Sequence, residues 1–266
     1  MSEGDWTDLA GGELRLRLAR IATIELNAPA RRNAMSAAMW RGLREAVGLI
    51  AADEGVRVVL VRGAGGKAFS AGAHIGEFEE VYADADSARA YNDDVRAAQA
   101  KLRGLPRPTV AVIEGACVGG GCGLALACDL RFAAETARLA ITPARLGLAY
   151  SYADTAQLVE KVGPARAKDI LFSARLLPAP EALSIGLVDR VVPADALEAE
   201  SAAYAEGLAA LSQSSIRAAK AMINRMSDLS ATGDGETDAL FASTFAGPDF
   251  QEGYRAFLEK RPPAFR

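Results

Sequence analysis

The residues best placed to do chemistry in this chain are backbone groups before they are side chains. The stretch Gly115–Gly123 (GACVGGGCG) follows the apolar run Thr109–Ile113 and leads into Leu124–Cys128, which reads as strand, glycine turn and helix. Glycines at Gly119, Gly120 and Gly121 are free to take positive φ, and without a Cβ they leave main-chain N–H groups bare to a ligand. The first turn of the following helix adds unpaired N–H groups and the positive end of its dipole. Such a place suits an anion or a developing oxyanion. A packing reading, in which glycine only lets a helix sit close to a sheet, stands beside it. A second glycine element has the same form: apolar Val56–Val61, a turn at Gly63–Gly66, then Phe69–Ile75 (FSAGAHI). Two strand-end loops that each offer an N–H could converge on one carbonyl oxygen.

Acid and base side chains near these loops are few. His74, the single histidine, can act as a general base or sit half-buried with its ring bonded to main chain. One histidine makes no multi-histidine metal site, and no Ser-His-Asp relay is visible although Ser70 is near in sequence. Asp154, in Tyr150–Asp154 (YSYAD), is an acid/base candidate or a first-turn acid of a helix over Thr155–Val159. Glu77, with Glu79 and Glu80, reads as a solvated helix face and is an alternative base; Glu114 reads as a support for its loop. The dinucleotide pattern G-x-G-x-x-G finds no register, since Gly119 and Gly121 are followed by Leu124. The P-loop pattern fails as well, with Val61 and Ala68 where glycine and Ser/Thr are required.

Phe69–Ile75 taken with Gly115–Leu124 resembles the crotonase family, also called the enoyl-CoA hydratase/isomerase family. The resemblance runs over nearly the whole chain, through Ala28–Met35 (APARRNAM), Ala125–Leu130 (ALACDL), Arg145–Leu148 (RLGL), Ala182–Asp189 (ALSIGLVD) and Glu252–Arg261 (EGYRAFLEKR). It implies an α/β fold: a crotonase-like spiral of ββα units over residues 1–194 and a C-terminal helical region over residues 195–266 that packs subunits into trimers or hexamers. It also implies an acyl-CoA thioester as ligand, with coenzyme A as part of the substrate and no separate cofactor or metal. The thioester carbonyl would accept from the N–H groups of Ala73 and Gly120, which stabilise an enolate-like oxygen. The same resemblance places Ala71, Ala73, His74, Ile75, Gly119, Gly120, Gly123, Pro143, Tyr150 and Ser151 around the substrate. Arg31 and Arg32 fall near the phosphates of coenzyme A, and Phe257 and Lys260 on a helix that reaches a neighbouring subunit's nucleotide.

Departures from the family pattern concern the reaction. Hydratases of this family use two glutamates to hold and activate water; the first falls on Gly123, the second on Pro143 or Ala144 according to the anchor chosen. The aspartate that other members use for isomerisation or halide displacement falls on Ser151, three positions before Asp154. Each acid/base role supplies about 10²–10⁴-fold in rate. The expectation is therefore an acyl-CoA enzyme of lyase or isomerase type working through a thioester enolate, with His74 or Asp154 moving the proton, and not an efficient hydratase. The alternative is a non-catalytic acyl-CoA-binding or scaffold subunit.

Several elements position these residues. Leu14–Leu18 alternates and Ile21–Leu26 follows closely, which predicts a hairpin. Met35, Met39, Leu43, Val47 and Ile50 recur at helical spacing and predict one apolar helix face on that sheet. After Val188–Val192 come two alanine-rich helical stretches, Leu197–Leu211 and Ser215–Met226, with a break at Gly233–Gly235. The 266 residues, 50% hydrophobic and 24% charged, suit one large soluble domain with or without a small appendage. A net charge of -4 leaves no footprint for nucleic acid, and no run approaches transmembrane length. Cys117, Cys122 and Cys128 lack C-x-x-C spacing and read as small buried residues in a reducing cytoplasm.

Overall fold

Apolar runs without polar alternation make strands that are buried on both faces, and such strands pair in parallel beneath covering helices. Thr109–Ile113 is of this kind, every residue being buried, and Ile21–Leu26 is buried throughout as well although Thr23 and Glu25 interrupt its apolar run. The structure is a computed structural model and describes residues 5–228, 242 and 245–263. In chain order its strands are β1 (Trp6–Leu9), β2 (Leu14–Arg17), β3 (Ile21–Leu26), β4 (Val58–Gly63), β5 (Ala68–Ser70), β6 (Thr109–Ile113), β7 (Ala116–Val118), β8 (Leu130–Ala134), β9 (Arg138–Ala140), β10 (Leu177–Pro178) and β11 (Arg190–Val192). Among the described residues they form a seven-stranded sheet, β1-β2-β3-β4-β6-β8-β11, and a four-stranded sheet, β10-β9-β7-β5. The first three strands are an antiparallel meander, and from β3 to β11 the large sheet is parallel.

The pairs β4–β5, β6–β7 and β8–β9 each place one strand in either sheet before the chain turns into helix. After α1 (Ala37–Ala52), those helices are α2 (Phe78–Val81) with α3 (Ala85–Arg103), then α4 (Gly120–Leu126), then α5 (Tyr152–Ser173). This is the spiral of ββα units. Beyond α6 (Ala179–Ser184), α7 (Leu197–Ala210) lays Ala205 and Ala209 on Ile21 and Val58, and α8 (Gln213–Asp228) follows. A C-terminal helix, Pro248–Leu258, lies on the short turn Pro143–Leu146, so closely that a Cβ on Gly253 would stand 2.4 Å from Leu146 C. Its Phe250 and Tyr254 rings pack at a tilt against Phe78 of α2. The expected break at Gly233–Gly235 lies outside the described residues.

Three expectations are corrected at the level of elements. Met35 is not part of the first helix: Ser36 takes an extended conformation as N-cap, its Oγ accepting from Met39 N at 3.1 Å, and Met35 pairs instead with Ala73. The helix after the glycines begins at Gly120, not at Leu124, so of the three consecutive glycines only Gly119 takes positive φ, at 53°. The strand expected over Val56–Val61 is shifted to β4, since its register is set by parallel pairing from Ile21↔Val58 to Leu26↔Gly63. The three cysteines are free and buried.

The loop between β3 and α1 is tied to the end of β5 by Asn33. This residue is fully buried with φ 55°, a conformation Asn tolerates better than most residues. Its Nδ2 donates to Ala64 O (2.9 Å) and Ala68 O (2.8 Å), and its Oδ1 accepts from Ala28 N (3.0 Å). Ser70 Oγ closes the knot by donating to Asn33 O at 2.8 Å. Replacing Asn33 by Ala orphans two carbonyls and one N–H in the interior, so Asn33→Ala should lower the unfolding free energy by about 3 kcal/mol. Urea denaturation checks this, and a loss below about 1 kcal/mol would mean that the knot carries little of the fold.

Candidate active site

Ala73 follows β5 and Gly120 opens α4, the two places where a parallel strand ends in a glycine turn. Around Ala73 the backbone runs beside Met35: Met35 N donates to Gly72 O (2.7 Å) and His74 N donates to Met35 O (2.8 Å). Because flanking groups in a parallel bridge point to the partner, the N–H of Ala73 points the other way. Gly120 lies there. A Cβ on Gly120 would stand 3.7 Å from Ala73 N and 3.6 Å from Trp40 Cζ2, so the two loops and the Trp40 ring form one small enclosure. Gly120 is the first residue of its helix, where the N–H has no intrahelical acceptor. Neither N–H finds an acceptor among the described residues. Two neighbouring donors of this kind can hold one oxygen as negative charge develops on it.

Beside this enclosure a carboxylate is buried. Ser151 caps α5, its Oγ accepting from Asp154 N (3.1 Å) and donating to Asp154 Oδ2 (2.6 Å). Asp154 is thus the first-turn acid of α5, with its carboxylate turned inward. A Cβ on Gly123 would stand 2.7 Å from Asp154 Oδ1, 2.7 Å from Gln99 Nε2 and 2.9 Å from the Tyr150 hydroxyl. The absence of a side chain at 123 is what lets these three groups meet. Oδ1 has no hydrogen-bond partner among the described residues. Burial raises the Asp154 carboxyl above its ordinary range, with Ser151 and Gln99 pulling the other way. Burial, and then the Asp154 charge, push the Tyr150 phenol well above its usual value, so it stays protonated and donates a hydrogen bond to Gly119 O at 3.3 Å.

The other sequence-derived residues divide. Ala71, Ile75 and Gly119 lie in the two loops that form the enclosure, with Ala71 N donating to Arg32 O (2.9 Å) and Gly119 N to Ala140 O (2.9 Å). The His74 ring is folded onto its own turn, with Nε2 3.1 Å from where a Gly76 Cβ would be and Nδ1 3.3 Å from Glu77 Oε1. Glu77 is engaged at the head of α1, its Oε2 accepting from Ala37 N at 2.8 Å. Arg31 is paired with Glu13 at 2.6 Å, an ion pair that lowers the Glu13 carboxyl and raises the guanidinium, while Arg32 is exposed. Pro143 begins the turn under the C-terminal helix, and Phe257 and Lys260 stand exposed at that helix's end. Glu114 approaches Gly66, 3.6 Å from its would-be Cβ, as a loop support would. Gln99 was not foreseen: nothing in the amphipathic stretch of α3 sets it apart from other polar residues. Asn33 and Trp40 were present in or beside quoted motifs, without a signal of their roles.

With this geometry in hand, comparison with known proteins is direct. The family model described as enoyl-CoA hydratase/isomerase matches residues 17–266. A crotonyl-CoA hydratase of Syntrophomonas wolfei is 32% identical over 248 residues, covering 92% of this chain and 94% of the relative. A solved enoyl-CoA hydratase/carnithine racemase from Magnetospirillum magneticum is 40% identical with a TM-score of 0.79, covering 96% of this chain and 95% of that one. A methylmalonyl-CoA decarboxylase in complex with 2-nitronate-propionyl-CoA is 26% identical with a TM-score of 0.86, covering 96% and 98%. Motifs, fold and matched length agree, and the chain belongs to the enoyl-CoA hydratase/isomerase family of acyl-CoA enzymes.

Proposed function

We propose that this protein moves a proton on an acyl-CoA thioester, with Ala73 and Gly120 N–H groups holding the enolate oxygen and Asp154 as the acid/base group. The observation that carries this reading is the single buried carboxylate at Gly123, beside the two free N–H donors. The hydratase and decarboxylase among its relatives carry out, by name, reactions that also place charge on a thioester oxygen. Hydration needs a second acid/base group, and neither 123 nor 143 nor 144 supplies a carboxylate. A double-bond shift needs only one. Asp154 takes a proton from Cα of a 3-enoyl thioester, and the C–H electron pair forms the Cα=C bond while the carbonyl becomes an enolate. The enolate collapses as Asp154 returns the proton to Cγ, leaving the double bond between Cα and Cβ. Tyr150 stays protonated and fixes the wall of the pocket through Gly119. Assembly into a trimer, in which the exposed Phe257 and Lys260 reach a neighbour's nucleotide, belongs to the same proposal.

Mass spectrometry of 3-enoyl-, 2-enoyl- and saturated acyl-CoAs in heavy water tests it. The wild type should shift the double bond and take up deuterium beside the thioester, and Asp154→Asn should lower both by about 10²–10⁴-fold. Unchanged exchange in Asp154→Asn would remove Asp154 from the chemistry; no exchange with any substrate, despite binding, would favour a binding subunit.

The pH dependence has a definite sign. Asp154 must begin as a carboxylate, and burial raises its pKa, so the rate should rise with pH through a limb above the ordinary aspartate range. That limb should vanish in Asp154→Asn. A limb that stays would assign the titration to another group.

Gly123→Glu offers a third check. A side chain there meets Asp154, Gln99 and Tyr150 inside normal contact distance, so the substitution should lower stability by about 1–3 kcal/mol and give no gain of hydration. A large gain of hydratase activity would show that the cluster yields and that position 123 faces the reacting carbon.

A further inference from the structure

A cavity of about 340 Å³, the size of a small-molecule site, adjoins the Asp154 cluster and is lined by Arg96, Gln99, Arg103, Ala153, Gln157 and Asn224 among others. Gln99 belongs to both places: it forms part of the cavity wall while its Nε2 stands at Gly123 together with Asp154 Oδ1.

Two features mark the cavity as built for a ligand. Gln99 and Gln157 are only 4% and 6% exposed, yet Gln99 Nε2 and Gln157 Oε1 have no hydrogen-bond partner among the described residues. Buried amides in native proteins are otherwise nearly always satisfied, so each of these two atoms calls for a polar partner. The wall is also one-sided in charge, since among the described residues it carries two guanidiniums and no carboxylate. Arg96 gives one N–H to Asp93 (2.7 Å) and Arg103 one to Glu160 (3.1 Å), and a guanidinium has five donors in all.

We propose that this cavity is the distal acyl subsite and that it selects acyl chains ending in a carboxylate, so that the substrates are dicarboxylic-acid monothioesters of coenzyme A. The inference rests on the acyl-CoA reading given above. A chain entering from the enolate oxygen passes Gln99 and brings its terminus among the Gln99, Asn224, Arg96 and Arg103 donors. Turning the Gln157 amide over gives up its long bond to Ala153 O (3.4 Å) and exchanges its Oε1 for a further donor. A carboxylate replaces the water these groups give up, and a methyl terminus replaces none of it.

Calorimetric titration of the full chain with unreactive saturated pairs tests the proposal: butyryl- against succinyl-CoA, hexanoyl- against adipoyl-CoA, octanoyl- against suberyl-CoA. At the length that reaches the cavity, the carboxylate member should bind about tenfold tighter than its methyl partner. That advantage should shrink to about threefold or less in Arg103→Met, and likewise in Asn224→Leu should the first variant not fold. Equal or weaker binding of the carboxylate member at all three lengths overturns the proposal, as does an advantage that survives Arg96→Met, Arg103→Met and Asn224→Leu alike. Failure of all six thioesters to bind overturns it together with the acyl-CoA reading. Affinities of saturated thioesters do not depend on proton transfer, so a protein silent in heavy water but selective here would refute the enolate chemistry alone.

Discussion

The turn at Gly72 and the turn at Gly119–Gly121 touch backbone to backbone: a Cβ on Gly72 would stand 2.9 Å from Val118 O, and one on Gly121 2.7 Å from Ser70 O. No larger residue fits at either contact without moving main chain. Gly72 adds a φ of 100°, a region where a side chain is strained whatever the space. This approach places Ala73 N–H beside Gly120 N–H, and the rest of the architecture serves to hold it. The small sheet supplies β5 and β7 in parallel, so both strands end on the same side. Asn33 and Ser70 lock the first turn to the loop before α1, and the Met35 bridge fixes which way the Ala73 N–H points.

The same economy of side chains shapes the surroundings of Asp154. Gly123 lies within α4 and is buried, so the missing side chain leaves volume that Gln99 of α3, Asp154 of α5 and Tyr150 of the loop before α5 fill. A carboxylate in that position is held by geometry more than by charge. Ser151 fixes Oδ2, the helix it caps fixes the backbone, and no cation pairs with Oδ1 among the described residues. Without a counter-charge, desolvation dominates and the carboxyl is pushed toward its neutral form. A group poised in this way can both accept and return a proton, whereas an ion-paired aspartate would hold its charge too firmly to do the second.

What was legible in the sequence follows from which signals are local. Glycine next to an apolar run marks where a strand ends and a backbone is exposed, while the choice of Ala73 and Gly120 rested on the family resemblance. The burial of Met39, Leu43, Val47 and Ile50 was readable from their spacing alone. Less legible were boundaries set by pairing between distant strands, such as the register of β4, and helix starts in glycine, where propensity argues against the helix that tertiary packing imposes. Asp154 was readable only as two alternatives, because its capping role is local while its approach to Gly123 depends on the packing of α5 against α4. Gln99 was not readable at all, as a polar residue in a helix gives no sign of pointing inward until its neighbours are known.

His74 shows how packing orients a residue that a local pattern offers for chemistry. A lone histidine next to an oxyanion donor is the natural base on sequence grounds. In the fold its backbone N–H is spent on Met35 O, its ring lies over Gly76, and its Nδ1 faces the Glu77 carboxylate that heads α1. Glu77 in turn shares its neighbourhood with Arg31, which Glu13 neutralises, and Ser36 Oγ donates to Glu13 at 2.7 Å. These charges balance one another at the start of α1, at the opposite flank of Ala73 from the partner Gly120. The Ala73 loop thus has this polar network at the start of α1 on one flank, and Gly120, one turn before the Asp154 contact at Gly123, on the other. Asp154 differs in its electrostatics: it has no cationic partner among the described residues, Ser151 Oγ donates to its Oδ2, and burial raises its carboxyl above the ordinary range.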